Sequence, residues 1–119
     1  MIQIAVVGDG DAAYHISKKG FAVIGVEPEI ESHVSRAGGT FIFFGKKQCK
    51  LNVFFNDLVD AVSKMVESAD MIVIGPGEIG KFVKKIADLK RKPYVEGKGK
   101  AAMEKAAEKL IRFNLFGTK

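Results

Sequence analysis

Apolar positions come as short, nearly unbroken runs through the first third of the chain and at helical spacing through the rest. Ile2–Val7 is mostly apolar and β-branched, and Gly8-Asp9-Gly10-Asp11 closes it, which predicts a buried strand followed by a turn. Phe21–Val26, ended by Glu27-Pro28, predicts a second strand. Thr40–Gly45 predicts another, after a polar loop through Ser35-Arg36-Ala37-Gly38-Gly39. From Phe55 the pattern changes. Phe55, Leu58, Val59, Val62, Met65, Val66 and Ala69 form the stripe of a helix packed on one face. Met71–Ile74 is a short strand ending in Gly75-Pro76-Gly77. A second helix follows, with Ile79, Phe82, Val83, Ile86 and Leu89 inward. Pro93 stops it, Tyr94-Val95 is a strand, and a last helix from about Lys98 turns Met103, Ala106, Ala107, Leu110 and Ile111 inward, with Gly117 beyond its end.

The later α-β-α-β-α run requires parallel strands with helices over the sheet, so the chain is an α/β protein forming one domain over residues 1–119. Ala12–Lys19 decides the remainder. Tyr14 and Ile16 alternate with His15 and Ser17 as in a half-buried strand, and Gly8–Phe21 is short for a helical crossover. On that reading the early strands form an antiparallel meander, and the sheet is mixed and ribonuclease-H-like, of order β-β-β-(β)-α-β-α-β-α. Read as a helix, the same segment makes the chain a doubly wound, Rossmann-like sheet instead.

Composition narrows the setting. A chain of 119 residues, 47% hydrophobic and 28% charged, has the make-up of a globular domain. No apolar run reaches the roughly 20 residues of a membrane span, and no secretory leader is expected ahead of Ile2–Val7. The single Cys49 excludes an intrachain disulfide and suits the cytoplasm. Charge is lopsided. Residues 1–45 hold three basic and five acidic side chains, whereas the rest hold sixteen and nine, giving +5 in all. Lys46, Lys47 and Lys50, then Lys81, Lys84 and Lys85 at i, i+3 and i+4, suit contact with a polyanion.

Candidate chemistry is sparse. Gly8-Asp9-Gly10-Asp11-Ala12-Ala13 follows a strand and fits G-x-G-x-x-A, with Glu27 closing the next strand. In a dinucleotide site such glycines admit the pyrophosphate and such an acid holds the ribose. Asp9 and Asp11 oppose that reading by placing two carboxylates beside a pyrophosphate. With Glu78 they also suggest a metal-bound nuclease centre, and a surface turn accounts for all three as well. Gly75-Pro76-Gly77 stands where α/β proteins place ligand loops. His15 and His33 are too isolated for a zinc site, and no catalytic set is expected.

Several segments together suggest a family. They are Ile4–Val7 with Gly10–Ala13, Lys19–Ile24, the loop Arg36-Ala37-Gly38-Gly39-Thr40, the helix opening near Phe54-Phe55, Tyr94–Gly97 and above all Met71–Phe82, close to a strand–Gly-Pro-Gly–x–x–x–Lys–x–Phe segment except that Phe82 directly follows Lys81. In these the chain resembles the central domain of Pelota and of the archaeal and eukaryotic class 1 translation release factors. The resemblance implies a ribonuclease-H-like fold and an RNA- or ribosome-associated role in translation quality control, with no cofactor. Release factors carry Gly-Gly-Gln in the loop where peptidyl-tRNA is hydrolysed; here Thr40 follows Gly38-Gly39, so the implied role is non-catalytic. Arg36, Lys46, Lys47, Lys50, Lys81, Lys84 and Lys85 would contact phosphates, and Gly38 and Gly39 would let the loop approach RNA. Two other readings stand beside it. One is a small Rossmann-like nucleotide-binding protein using Gly8, Gly10, Glu27, Gly75 and Gly77. The other is a structural homo-oligomer with Phe41-Ile42-Phe43-Phe44 as an exposed edge strand.

Overall fold

The computed structural model describes residues 2–45 and 54–117. Strands and helices alternate along them: β1 (Gln3–Val7), α1 (Gly10–Lys18), β2 (Ala22–Gly25), α2 (Ile30–Arg36), β3 (Phe41–Phe43), α3 (Phe54–Ser68), β4 (Met71–Ile74), α4 (Glu78–Lys90), β5 (Tyr94–Glu96) and α5 (Gly99–Gly117). The strands form one sheet of order β3-β2-β1-β4-β5, and every pair is parallel. The chain winds outward from β1 to β3, crosses back to β4 and winds outward again to β5. The order therefore reverses between β1 and β4, the place where open α/β sheets leave a crevice at their strand ends.

The α/β class holds, in its doubly wound form; the early antiparallel meander does not occur, because α1 and α2 separate the first three strands. Ala12, Ala13, Ile16 and Ser17 are the buried residues of α1, spaced for a helix, and the alternation of Tyr14 with His15 misleads because both are half-buried. The connection is long enough after all. Nine helical residues rise about 13.5 Å, which matches the roughly 13 Å run of a four-residue strand. A crossover needs a helix only as long as its strands. Similarly, α2 takes up part of the expected polar loop, burying Ile30 and Val34.

From Ile4 to Val7 and from Met71 to Ile74, each strand residue points to one of two cores. Ile4, Val6, Met71 and Val73 face α1, α2 and α5, packing on Ile16, Val34 and Met103. Ala5, Val7, Ile72 and Ile74 face α3 and α4, packing on Val62, Met65 and Val83. Burial on both faces explains why these strands read as continuous apolar runs and not as alternating ones. Two expected core residues lie outside. Leu89 is 79% exposed and Ile111 58%, while Ala87 and Ala102 take the inward positions. The small residues let helices lie close to the sheet. Gly117, expected beyond the last helix, is its final residue. No helix among the described residues is long and apolar enough to cross a membrane.

One buried polar group is out of place. The Ser17 hydroxyl lies against Gly39, where a Cβ would run into it, and finds no hydrogen-bond partner among the described residues. Removing an unsatisfied group returns its desolvation penalty, so Ser17→Ala should leave stability unchanged or raise it by about 1 kcal/mol. Urea unfolding checks this; a clear loss would mean that the hydroxyl is satisfied.

Candidate functional site

The site grows from the ends of β1 and β2. Gly8 leaves β1 with φ +75°, a conformation that L side chains rarely adopt, and its N–H donates to a Glu27 carboxylate oxygen at 2.6 Å. Glu27 stands just past β2 and is half-buried. Burial pushes its carboxyl above the usual range; the Gly8 N–H opposes that rise, and neighbouring Glu29 adds to it.

Asp9 then starts α1. Its backbone is extended, and its side chain accepts from the Ala12 N–H at 3.2 Å, an N-cap of the usual kind. The other carboxylate oxygen accepts from the Gly99 N–H at 2.7 Å, so one side chain ties the starts of α1 and α5 together. Gly10 has no room for a Cβ because the His33 ring from α2 lies against it. Arg36 Nη2 is 3.0 Å from His33 Nδ1. A guanidinium only donates, so Nδ1 is the acceptor in this hydrogen bond. The same guanidinium lies 5.0 Å from the centre of the Tyr14 ring, joining α2 to α1.

Two clefts open at the strand ends, on either side of Gly8 and Asp9. The larger share of candidate residues lines the one toward α2, about 330 Å³, with Gly8, Gly10, Glu27, His33 and Gly77 among its walls. The other, about 350 Å³, lies toward α5 between Asp11, Pro76, Lys98 and Gly99. Between them the β1 and β4 loops pinch together: a Cβ on Gly8 would stand 2.7 Å from the Pro76 carbonyl oxygen, and one on Gly75 would stand 2.9 Å from that of Gly8. Either cleft is near the lower end of the roughly 300–1,000 Å³ of small-molecule pockets, which suits a nucleoside-sized group in each better than a whole dinucleotide in one.

The residues expected for a nucleotide thus converge. Gly8, Gly10, Glu27 and Gly77 meet in one cleft, while Gly75, just past β4, packs against Gly8 and Asp9. The apparent shortness of Gly8–Phe21 was no obstacle, since α1 fits within it. Asp9, Asp11 and Glu78 do not share a centre. Asp9 holds two backbone N–H groups, Asp11 lies 3.7 Å from His15 and Glu78 pairs with Lys81 at 3.4 Å. His33, set aside as a zinc ligand, is a cleft wall instead. Its place on α2 depended on a helix that the polar composition of residues 30–36 concealed.

The basic candidates spread apart. Arg36 lies on the α1–α2–α5 face, while Lys81, Lys84 and Lys85 lie on α4, on the other side of the sheet. Lys84 pairs with Glu96 at 3.3 Å and lies 5.9 Å from the centre of the Tyr94 ring; that pairing holds its ammonium above the usual lysine range. Gly38 and Gly39 precede β3, at the edge of the sheet away from the clefts, and border a separate hollow of about 230 Å³ with Ser17 and Thr40. Lys46, Lys47 and Lys50 lie outside the described residues. The Phe41–Phe43 edge is β3, whose Ile42 is 39% exposed. No protein-family model and no curated protein matches the chain.

Proposed function

We propose that this chain is a nucleoside-binding domain, with Glu27 as the ribose acceptor and the turn through Gly8 and Gly10 lining the ligand's cleft. The observation that carries the reading is the position of Glu27: a half-buried carboxylate at the end of β2, hydrogen-bonded to the first glycine of a G-x-G-x-x-A turn, in a cleft beside the strand-order reversal. A carboxylate there can accept from both hydroxyls of a ribose, and the turn through Gly8 and Gly10 lines the same cleft. Ala12 and Ala13, both fully buried, let α1 sit close on β1, which brings the turn to that carboxylate. The His33 ring lines the same cleft, against Gly10.

A thermal-shift panel of ribonucleosides and nucleotides tests this. A ligand at 100 times its Kd stabilises the folded state by about 2.7 kcal/mol. For a domain of this size that is a rise of about 10 °C. The expected result is a saturable rise with at least one ribonucleoside-containing compound, smaller for its 2′-deoxy form. No rise with any member of the panel overturns the reading.

A further inference from the structure

We propose that the ligand of this cleft carries no phosphate: it is a nucleoside whose 5′ substituent is uncharged or cationic. The inference rests on the nucleoside reading and adds the chemical class of the ligand. A Rossmann-type domain that takes a dinucleotide sets the pyrophosphate against free N–H groups at the first turn of its first helix. In this chain Asp9 stands at that place. One carboxylate oxygen accepts from the Ala12 N–H at 3.2 Å and the other from the Gly99 N–H at 2.7 Å, so two helix starts already hold an anion that belongs to the chain. The Gly8 N–H is taken as well, by Glu27 at 2.6 Å.

The surrounding charge has the same sign. Glu27 and Glu29 line the cleft toward α2, and Asp11 lines the one toward α5. Among the described residues few cations stand against them. The Arg36 guanidinium is engaged between the His33 ring and Tyr14. Lys98 is exposed at the far cleft, on the α5 side. A phosphate entering beside Gly10 meets carboxylates and must displace Asp9 from its N–H partners. An uncharged or cationic group meets neither penalty.

Calorimetric titration of the intact chain at low salt separates the classes, with adenosine, guanosine and S-adenosylmethionine set against AMP, GMP and NAD⁺. The expected result is that a phosphate-free compound binds at least tenfold more tightly than its phosphorylated counterpart. Asp9→Asn keeps an effective N-cap while removing the charge. It should improve nucleotide affinity several-fold and leave the parent nucleoside within about twofold. AMP, GMP or NAD⁺ binding more tightly than the nucleosides overturns this inference and leaves the nucleoside site standing. Binding by none of the six overturns both.

Discussion

Gly8→Ala should lower folding stability by about 2–5 kcal/mol, whereas Gly38→Ala should lower it by only about 1–2 kcal/mol. Both glycines have φ +75°, so both substitutions carry the same left-handed backbone penalty of about 1–2 kcal/mol. They differ in what the new methyl group meets. At Gly38 nothing lies within 4 Å, but at Gly8 the Cβ would stand 2.7 Å from the Pro76 carbonyl oxygen and 3.3 Å from the Gly75 carbonyl carbon. These are backbone atoms and cannot rotate away. Relief requires β1 and β4 to part at their ends, and forcing extra volume into a packed place costs a further ~1–3 kcal/mol. Urea unfolding of both variants gives the comparison directly. Equal losses would mean that the pinch between the two loops carries no energy. The same displacement would move the Gly8 N–H from Glu27, so Gly8→Ala should also weaken any ligand held by that carboxylate.

That pinch shows which parts of the molecule the residues announced and which they did not. The runs Ile4–Val7 and Met71–Ile74 are legible as strands because both faces are buried, and no polar residue interrupts them. The amphipathic stripes of α3 and α4 are legible for the opposite reason, each having one wet face. α1 was harder. Its buried face is made of Ala12, Ala13, Ile16 and Ser17, two alanines and a serine in four positions, so hydrophobic contrast nearly vanishes where close packing needs small side chains. The true signal was at its start: Asp9 three residues before Ala12 marks an N-cap, a chemical cue that apolar counting overlooks. Once α1 is a helix, the parallel topology follows, and with it the meeting of Glu27 with Gly8. The partnership of Asp9 with Gly99, ninety residues along the chain, has no local signature. Leu89 misled for a related reason, because helical spacing places it on the inner stripe while the smaller Ala87 takes the buried position.

Glu27→Gln should weaken ribonucleoside binding by about 10- to 100-fold, the loss that follows when hydrogen bonds to a charged acceptor, worth about 1.5–3 kcal/mol, are given up. The variant should also be more stable than the parent at neutral pH. Burial raises the Glu27 carboxyl in the folded state above its unfolded value, so the folded chain binds the proton more tightly than the unfolded one. Stability contributed by this group is therefore fully present below the ordinary carboxylate range and is lost as pH rises through the raised folded value. Glutamine does not titrate, and its amide oxygen still accepts from the Gly8 N–H. The two melting curves should coincide near pH 4 and separate by pH 7.5, with the glutamine chain the higher. Binding runs the other way. The parent should lose ribonucleoside affinity as pH falls through that same raised value, while the variant stays weak and flat, with no preference for ribo- over 2′-deoxyribonucleosides. A stabilised variant that kept full affinity and that preference would keep Glu27 as a buried, strained carboxylate and remove it from the ribose. A variant both weaker in binding and more stable would mean that the chain holds this charge in a half-buried place at a cost to its own fold, and that a ligand's hydroxyls offset that cost.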